Sequence, residues 1–473
     1  MVDLPSSLVA VVKSDCPTCR LIEPVLQRLA AGPSPLTVYT QDDPAFPRNI
    51  PGLVDDTHLE VSFKLNIEIV PTLIRLENGQ EVERIYGWNK SEWQNFTHIE
   101  DLGADLPPFR PGCGAKNVEP SVAEKLAVRF GGHKLHARRI EIAALEDELE
   151  ACFARGWSDG LPVVPPTETR VLRMLAGTSR APNEIVGIIP PNQVECTVEK
   201  VAINAVLAGC KPEYLPVVLA AVEAACQDEF AMHGVLATTY FPGPVIIVNG
   251  PIVKAIGMNA GINVFGPGNR ANATIGRALQ LIVRNVGGGR PGEVDRATFG
   301  TPGKYTFCFA ENEEGSPWEP LSVERGFATT ASTVTLFAGG GIQPIYDQLS
   351  RTPEALARSF AECLRAVAHP RVATAADAVL VVSPEHSRVF AEAGWNKTRL
   401  YDALETLLHC PADEILRRKE SAVPIAEFVP KFRPGGLTIV RAGGSAGLFS
   451  AIINGWVASG AMGSQPVTKE IKL

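Results

Sequence analysis

The chain has 473 residues, of which 45% are hydrophobic and 20% charged, so we expect a globular protein of roughly two to four domains. Its net charge of −8 and its pI near 5.6 argue against a nucleic-acid-binding protein and against a polybasic membrane patch. The sequence has no apolar run of about 18 residues and no basic region before its first apolar run, so we expect neither a membrane span nor a secretory signal. Ten cysteines in a chain of this length do not indicate a disulfide scaffold, and we expect a cytosolic protein.

The first structural signal is a short apolar run followed by two cysteines. LVAVVK, at 8–13, predicts a buried strand, and CPTCRLIEPVLQRLA after it has apolar residues at helical spacing. Cys16 therefore lies where a strand meets a helix, and free N–H groups and the helix dipole stabilise a thiolate there. Cys19, one turn inside the helix, can attack a mixed disulfide on Cys16. The alternatives are an inert pair or a zinc knuckle, but zinc would need a second close ligand pair that the sequence lacks.

The region that follows resembles the thioredoxin superfamily over about residues 5–100. The CxxC after the first strand matches that family, and so does IVPTLI, in which Pro71 stands where the family has a cis proline. The hairpin LIRLENGQEVERIYG, with its predicted turn at Asn78-Gly79, matches as well.

This resemblance implies a thioredoxin fold with a redox-active CxxC centre. Cys16 would be the nucleophile, Cys19 the resolving thiol, and Pro71 would shape the substrate groove. Two positions depart from the family pattern: the motif is CPTC rather than CGPC, and Ala10 stands where many thioredoxins have a buried acid. Neither a redox potential nor a proton route is therefore carried over.

A stretch rich in proline and glycine follows at 101–120 and predicts a linker or an ordered loop. Cys113 lies within it between two glycines, which permit tight turns and the close approach of a partner. Cys113 is therefore either a thiol that exchanges with the CxxC or an ordinary loop cysteine. Because a tethered thiol has a high effective concentration, we rank Cys113 ahead of Cys196 as the exchange partner.

Shifts in composition predict four regions and an α/β fold class for the chain. These are a thioredoxin-like domain at 1–100, a linker and ordered loop at 101–139, an α/β substrate domain at 140–372 and a C-terminal α/β subdomain at 373–473. Strands that alternate with helices in the last two regions predict one or two Rossmann-like open-sheet domains.

Two residues of the third region are the first candidates there. Asp159, in GWSDGLPVVPPT, could line a pocket, or the turn could merely separate two helices, the first predicted at 140–157. Cys196 precedes a helix for which Thr197 is the predicted N-cap. That position activates thiols, although a buried small hydrophobe is the alternative.

Further candidates lie near a glycine-rich turn and a polar cluster. The turn GPGN leads into a helix predicted from Arg270 to Asn285, and Arg270 and Asn272 could hold an anion there or lie on the surface. Glu311 shares a face with Glu313 if the strand before them continues. The two carboxylates could perform acid–base chemistry, hold a cation, or simply be solvated.

The last hundred residues predict two strand–loop–helix units. His386 follows the strand of ADAVLVVSPEHSRVFAEAGW, and Ser445 lies in the glycine-rich loop of LTIVRAGGSAGLFSAIINGW. Loops at the carboxyl ends of strands form ligand crevices in open sheets. We predict that Arg270, His386 and Ser445, each at a predicted helix start, converge on one anion-binding crevice; the alternative is three unrelated turns.

Four segments of the second half resemble an uncharacterised bacterial family associated with small UGSC-type (seleno)proteins. They are GWSDGLPVVPPT, CKPEYLPVV, GPGNRANATIGRAL and PGKYTFCFAENE. The resemblance spans about residues 150–473 and implies a UGSC-type partner protein without naming a reaction.

These features predict a thiol-dependent oxidoreductase that needs no cofactor or metal of its own. Its CxxC domain would take electrons from a thioredoxin-reductase-type donor and supply them to an α/β domain that acts on a small anionic substrate. The main alternative is a small-molecule lyase or hydrolase whose thioredoxin-like domain maintains or senses a catalytic cysteine. A thiol-dependent scaffold or metal handler is a third class.

Overall fold

The chain folds into two compact units, Met1–Lys134 and Leu135–Leu473. The structure, a computed structural model, describes residues 8–33, 35–77, 80–132, 135–143, 145–415, 427–458, 460 and 463–473. Its mixture of helices with parallel and antiparallel strands confirms the α/β class. Within these described ranges, no helix combines the length and the apolar character needed to cross a membrane.

The first unit contains one five-stranded mixed sheet and two sheets of two short strands each. Its strands are β1 (Leu8–Val12), β2 (Leu36–Thr40), β3 (Leu53–Asp55), β4 (Ile69–Val70), β5 (Thr72–Glu77), β6 (Gln80–Tyr86), β7 (Trp88–Asn89), β8 (Phe109–Arg110) and β9 (Cys113–Gly114), and its helices are α1 (Pro17–Leu21), α2 (Glu23–Ala30), α3 (Glu60–Lys64), α4 (Lys90–Thr97) and α5 (Pro120–Phe130). The sheet has the order β3-β2-β1-β5-β6, with β1 parallel to β2 and antiparallel to β5. The predicted hairpin turn at Asn78-Gly79 lies outside the described residues.

The central strand β1 explains where the CxxC motif lies. All five residues of β1 are buried because the strand has neighbours on both sides and is covered on both faces, which is why its sequence is an unbroken apolar run. The chain leaves β1 and begins α1 directly after Cys16. The single helix suggested by the apolar spacing is two helices, broken at Ile22, because Pro24 has no N–H to donate to a preceding turn.

Residues 101–120, predicted as a linker or an ordered loop, are ordered within the first unit. Strand β8 pairs with β7, and β9 pairs with β4, both antiparallel. The chain then continues through α5, and the boundary between the two units falls inside the predicted 101–139 region. This return of the chain pairs Cys113 with Val70, whose carbonyl oxygen lies 3.6 Å from the sulfur of Cys16.

The second unit surrounds one curved sheet with helices. Its helices are α6 (Glu148–Ala154), α7 (Glu168–Leu175), α8 (Val198–Ala208), α9 (Leu215–Ala225), α10 (Met232–Ala237), α11 (Ile252–Ala255), α12 (Arg270–Asn285), α13 (Leu321–Glu324), α14 (Pro353–Arg365), α15 (Pro384–Glu392) and α16 (Lys397–Leu407). Its strands are β10 (Ile185–Ile189), β11 (Val194–Thr197), β12 (Gly243–Asn249), β13 (Cys308–Ala310), β14 (Thr333–Tyr346), β15 (Ala378–Val382), β16 (His409–Pro411), β17 (Phe428–Pro430), β18 (Leu437–Arg441), β19 (Phe449–Gly455) and β20 (Val467–Glu470).

The large sheet of this unit has the order β13-β12-β14-β19-β15-β18, and β20 also pairs with β14. Its outermost strands meet where they end, because the N–H of Asn312, just after β13, donates to the carbonyl of Arg441 at 2.7 Å. One apolar cluster collects side chains from all six strands: Val245, Ile247, Phe309, Phe337, Val379, Val381, Val440 and Ile453. The sheet therefore curls around its own core, and strands from both predicted α/β regions share it.

Local sequence signals locate some helices of the second unit correctly and misplace others. Helix α12 spans the predicted residues, and the Asn269 side chain caps it by accepting from the N–H of Asn272 at 3.0 Å. The helix predicted at 140–157 is wrong in extent, because α6 begins only at Glu148, where Asp147 caps it.

The helix predicted after Ser445 is also wrong, because the chain forms strand β19 there. The residues of β19 pair on one side with β14 and on the other with β15, so tertiary pairing overrides the helical spacing of the apolar residues.

Candidate functional site

Cys16 sits at the N-terminus of α1 and acts as its N-cap. Its sulfur accepts a hydrogen bond from the backbone N–H of Cys19 at 3.4 Å and lies 3.6 Å from the carbonyl oxygen of Val70. The side-chain hydrogen bond from Cys19 lowers the pKa of Cys16 to about 5, assisted by one from Cys113 and opposed by burial. Cys16 is therefore a thiolate at neutral pH, as its position between strand and helix predicts.

The two other thiols of this cluster are protonated donors. Cys19 is fully buried, and burial together with its hydrogen bond to Cys16 raises the pKa of its thiol far above the ordinary range. Burial also raises the pKa of Cys113, and the hydrogen bond to Cys16 adds to that effect. Cys16 therefore carries the negative charge of a three-thiol cluster, next to the neutral thiols of Cys19 and Cys113. All ten cysteines of the chain are free thiols.

Two lysines lie on the polar side of this cluster. Lys13, at the end of the strand before the motif, is 3.1 Å from Asp15, and Lys116 is 3.7 Å from the same carboxylate. Burial acts to lower the pKa of Lys13, but the hydrogen bond that Lys13 donates to Asp15 and the nearby Cys16 and Cys113 sulfurs raise it above the ordinary value. A protonated Lys13 adds favourable charge beside the Cys16 thiolate.

The peptide bond between Val70 and Pro71 is cis, as the family resemblance implies for this proline. Val70 is also the residue whose carbonyl approaches Cys16, so Pro71 borders the thiol cluster.

Residues 109–115 lie over the cluster, and we call them the covering segment. Its strand β9 pairs with β4, with Cys113 opposite Val70 and Gly114 opposite Ile69. Cys16 has no exposed surface, whereas Cys113 is partly exposed. The edge of β4 beside the reactive thiolate is therefore occupied by the chain's own strand.

Hydrogen bonds hold the covering segment at both ends and in the middle. The Thr18 hydroxyl, within the CPTC motif, donates to the carbonyl of Pro111 at 2.6 Å. The N–H of Ala115 donates to the carbonyl of Glu68 at 2.9 Å. Just beyond it, the buried amide of Asn117 donates to Ile67 at 2.7 Å and accepts from Gln41 at 3.0 Å. This bond from Thr18 was not predicted, although the threonine of CPTC is one of the positions at which the motif departs from CGPC.

Cys196 lies in the second unit, on β11, and is fully buried. Thr197 caps the following helix as predicted. Burial nevertheless raises the pKa of the Cys196 thiol to about 12, so desolvation outweighs any stabilisation by the nearby helix N-terminus. Cys196 is therefore a neutral thiol packed in an apolar core.

The predicted polar residues near α12 make internal contacts. Asp159 forms a two-point ion pair with Arg277, with both oxygens 2.8 Å from guanidinium nitrogens. Arg270 donates to the carbonyl of Gly209 at 2.9 Å, and Asn272 exchanges hydrogen bonds with the backbone of Asn259. In this structure all three predicted residues hold neighbouring loops in place.

Glu311 belongs to a buried polar network at the end of β13. The side-chain amide of Asn249 donates to Glu311 at 2.6 Å and to Glu313 at 2.8 Å, so the two carboxylates do face one partner. Burial raises the pKa of Glu311, and Lys397, 3.9 Å away, opposes that effect. Among the described residues, no three His, Cys, Asp or Glu side chains are arranged to hold a metal ion.

His386 is fully buried in the first turn of α15. Its Nε2 lies 3.0 Å from the carbonyl of Asp347, which can only accept, so Nε2 carries the proton. Nδ1 then accepts from the hydroxyl of Ser450, at 2.7 Å. Burial lowers the pKa of His386, which keeps the ring neutral. The sequence analysis missed Ser450 because it lies where a helix was predicted.

Ser445 lies in the exposed loop between β18 and β19. Because β19 is a strand, Ser445 does not precede a helix, and the helix-terminus argument for an anion site does not apply to it. Arg270 and His386 do lie at helix starts. A crevice shared by the three residues stays a prediction.

Comparison with known proteins assigns no family to this chain. No protein-family model matches it, and no curated protein matches it. The argument for function therefore rests on the chemistry of the thiol cluster.

Proposed function

We propose that the protein is a thiol–disulfide oxidoreductase whose reactive centre is the Cys16–Cys19 pair of a thioredoxin-like first unit. The observation that carries the proposal is the position of Cys16 as the N-cap of α1, where its buried sulfur accepts from the N–H of Cys19 at 3.4 Å. The Cys19 thiol, the Cys113 thiol and these backbone donors lower the pKa of Cys16 to about 5. The thiolate is the form of cysteine that attacks disulfides, and Cys16 has this form throughout the neutral range.

The reaction follows from the different protonation of the two thiols. The Cys16 thiolate attacks one sulfur of a substrate disulfide, and the second substrate sulfur leaves as a thiolate. Cys19 then loses its proton, which goes to the departing thiolate, and attacks the Cys16 sulfur of the mixed disulfide. The product is a Cys16–Cys19 disulfide and a fully reduced substrate, so two electrons have left the protein. A thioredoxin-reductase-type donor would return them.

Cys113 is a second acceptor for the Cys16 sulfur in this proposal. Cys113 packs against the apolar cluster that contains Cys16 and lies opposite Val70, next to the Cys16 sulfur. This position supports Cys113 over Cys196 as the intramolecular exchange partner, because Cys196 is buried in the core of the other unit. A Cys16–Cys113 disulfide would form when Cys113 rather than Cys19 attacks a mixed disulfide on Cys16.

The large sheet of the second unit is curled and largely antiparallel, so it differs from the predicted open Rossmann-like sheet. For this unit we propose an α/β domain that uses these reducing equivalents on a small anionic substrate, in the cytosol and with a UGSC-type partner protein. The N-terminus of α12, next to Arg270, supports an anionic substrate. A hydrolase or lyase is the second candidate. The hydroxyl of Ser450 donating to His386 favours it, since a nucleophile and its base are paired in that way.

Disulfide reduction by single-cysteine variants tests the main proposal. We expect the reduced protein to reduce glutathione disulfide and to form one disulfide, Cys16–Cys19, that peptide mapping identifies. Cys16→Ser should lose this activity, whereas Cys363→Ser, at a half-buried thiol of the second unit, should keep it. Full activity in Cys16→Ser would refute the proposal.

A further inference from the structure

The covering segment occupies the place beside Cys16 where an extended substrate would have to lie. A substrate disulfide must bring one sulfur in line with the Cys16 thiolate. In the structure that approach is closed, because Cys16 has no exposed surface and Cys113 contacts its sulfur. The backbone edge next to it is closed as well, because β9 is paired with β4.

We propose that the covering segment is a redox-sensitive strap, which must leave the β4 edge before a protein-sized disulfide can reach Cys16. This inference rests on the proposed function and adds to it the regulation of the same site. With the strap in place, Cys16 is closed; glutathione disulfide needs only a small displacement of the strap to react, whereas a protein disulfide needs the whole segment to leave the β4 edge. With the strap displaced, both Cys16 and the free edge of β4 become available to an extended chain, which β-strands can bind by backbone pairing.

The contacts of the strap suit it to reversible release. The β4–β9 ladder is only two residue pairs long, and Phe109 at the start of the segment is 62% exposed, so little apolar surface holds it down. The firmer attachments lie at its two ends: Phe109 and Arg110 pair with β7, and the N–H of Ala115 donates to the carbonyl of Glu68 at 2.9 Å. Residues 111–114 between them are held by the Thr18 hydroxyl and by a ladder of only two residue pairs, so they can move while the ends stay fixed.

The link to redox state comes from the position of Cys113, which lies opposite Val70 in the β4–β9 ladder, while the Val70 carbonyl oxygen is 3.6 Å from the Cys16 sulfur. From this position the Cys113 thiol helps to lower the pKa of Cys16. In the reduced protein, the Cys113 thiol donates to a thiolate, and hydrogen bonds to charged acceptors are about twice as strong as neutral ones. When Cys16 and Cys19 form a disulfide, that negative charge disappears and the strap loses this contact. Oxidation therefore loosens the strap, which also opens the disulfide to the reductant that must regenerate it.

Two glycines of the strap provide a matched test. A Cβ added at Gly112 would lie 2.3 Å from Cγ2 of Ile69 and 2.8 Å from the carbonyl of Val70, so Gly112→Ala must push the strap off the β4 edge. A Cβ added at Gly114 meets nothing within 4 Å. Gly114→Ala is therefore the same change, two residues away, without the clash.

The measurement is the alkylation rate of Cys16 in the reduced protein by a bulky polyethylene-glycol maleimide, with the label located by peptide mapping. We expect Gly112→Ala to raise this rate by about fivefold to a hundredfold, the population shift that an overpacked contact typically causes. Gly114→Ala should stay within about twofold of the parent. Equal rates in the two variants would overturn the strap.

A second pair of variants removes a hydrogen bond instead of adding a steric clash. This pair tests the strap proposal even if Gly112→Ala fails to fold. Thr18→Val loses the bond to Pro111, and Thr97→Val loses a bond of similar length, 2.7 Å, to Trp93 inside α4. We expect Thr18→Val to increase insulin reduction by about two- to tenfold over Thr97→Val. Equal or slower insulin reduction by Thr18→Val would count against the strap.

Failure of the strap and failure of the proposed function give different results. If the parent protein reduces glutathione disulfide through Cys16 but neither matched pair differs, only the strap is wrong. If Cys16→Ser retains the reduction of glutathione disulfide, the proposed function itself is wrong.

Discussion

Replacing Cys113 with alanine should raise the pKa of Cys16. Three kinds of donor hold the Cys16 thiolate: the Cys19 thiol, the Cys113 thiol and the backbone N–H groups at the start of α1. Cys113→Ala removes one of them. A hydrogen bond to a charged group contributes about 1.5–3 kcal/mol, and a thiol is a weak donor, so we take the lower end. Since one pKa unit corresponds to about 1.4 kcal/mol, we expect the pKa of Cys16 to rise from about 5 to roughly 6.

The assay is the rate of iodoacetamide alkylation at Cys16 as a function of pH in the fully reduced protein. The rate follows the thiolate fraction, so its midpoint gives the pKa of Cys16, whereas its plateau at high pH reports access to the sulfur. Removing the Cys113 side chain also uncovers Cys16, and we therefore expect a higher plateau together with a midpoint shifted to higher pH. Cys363→Ala, in the second unit, controls for the loss of a cysteine elsewhere.

A midpoint that is unchanged, or that moves to lower pH, would refute this reasoning. It would mean that Cys113 stabilises the Cys16 thiolate no better than the water that replaces it. The low pKa of Cys16 would then rest on Cys19 and the backbone donors of α1 alone.

Further predictions concern the pH dependence of stability, the reactivity of the three thiols, and the ion pair between Asp159 and Arg277. Because the folded-state pKa of Cys16 lies below its unfolded value, its thiolate stabilises the reduced protein fully above about pH 9 and progressively less as the pH falls toward 5. The difference in hydrogen-exchange protection of β1 between the parent and Cys16→Ser should therefore shrink on acidification. A difference that grows would contradict the predicted direction. Brief alkylation of the reduced protein near neutral pH should label Cys16 before Cys19, and preferential labelling of Cys19 would reverse that assignment. Cys19→Ser treated with glutathione disulfide should form a Cys16–Cys113 disulfide, because Cys113 attacks the Cys16 sulfur of the mixed disulfide and releases glutathione. Peptide mapping detects this disulfide, and one to another cysteine would contradict the prediction. Asp159→Ala leaves the mostly buried Arg277 without its carboxylate partner. We expect urea unfolding to show that the second unit loses about 3 kcal/mol of stability. A loss below about 1 kcal/mol would show that water replaces the ion pair.

The position of Cys16 between a strand and a helix was predictable because the sequence signals for it lie close together in the chain. The apolar run of β1, the cysteine at its end and the helix that follows lie within a few residues of one another, so their geometry depends little on the rest of the chain. The same holds for α12, whose first residue and whose cap at Asn269 follow from side chains that bond to backbone one turn away.

Burial was not predictable in this way, and it changed the chemistry of several candidates. Cys196 has the helix-start position that activates thiols, but the packing of distant helices around it raises its pKa to about 12. Asp159, the third-region candidate, finds its partner Arg277 more than a hundred residues away. A residue's position relative to a helix can be predicted from the residues next to it in the sequence, whereas its desolvation depends on every side chain that packs against it.

Strand pairing, like burial, could not be predicted from the local sequence. The strand–helix position of Cys16, the place of Cys19 one turn later and the α/β class follow from the sequence alone, because they depend on short-range periodicity, capping and helix termini. Only the tertiary structure decided that the segment after Ser445 is a strand of the curved sheet and that the segment with Cys113 lies on β4 over the thiolate. A β-strand has no hydrogen-bonded partner within its own sequence, so its pairing is settled by whichever distant edge the folded chain presents.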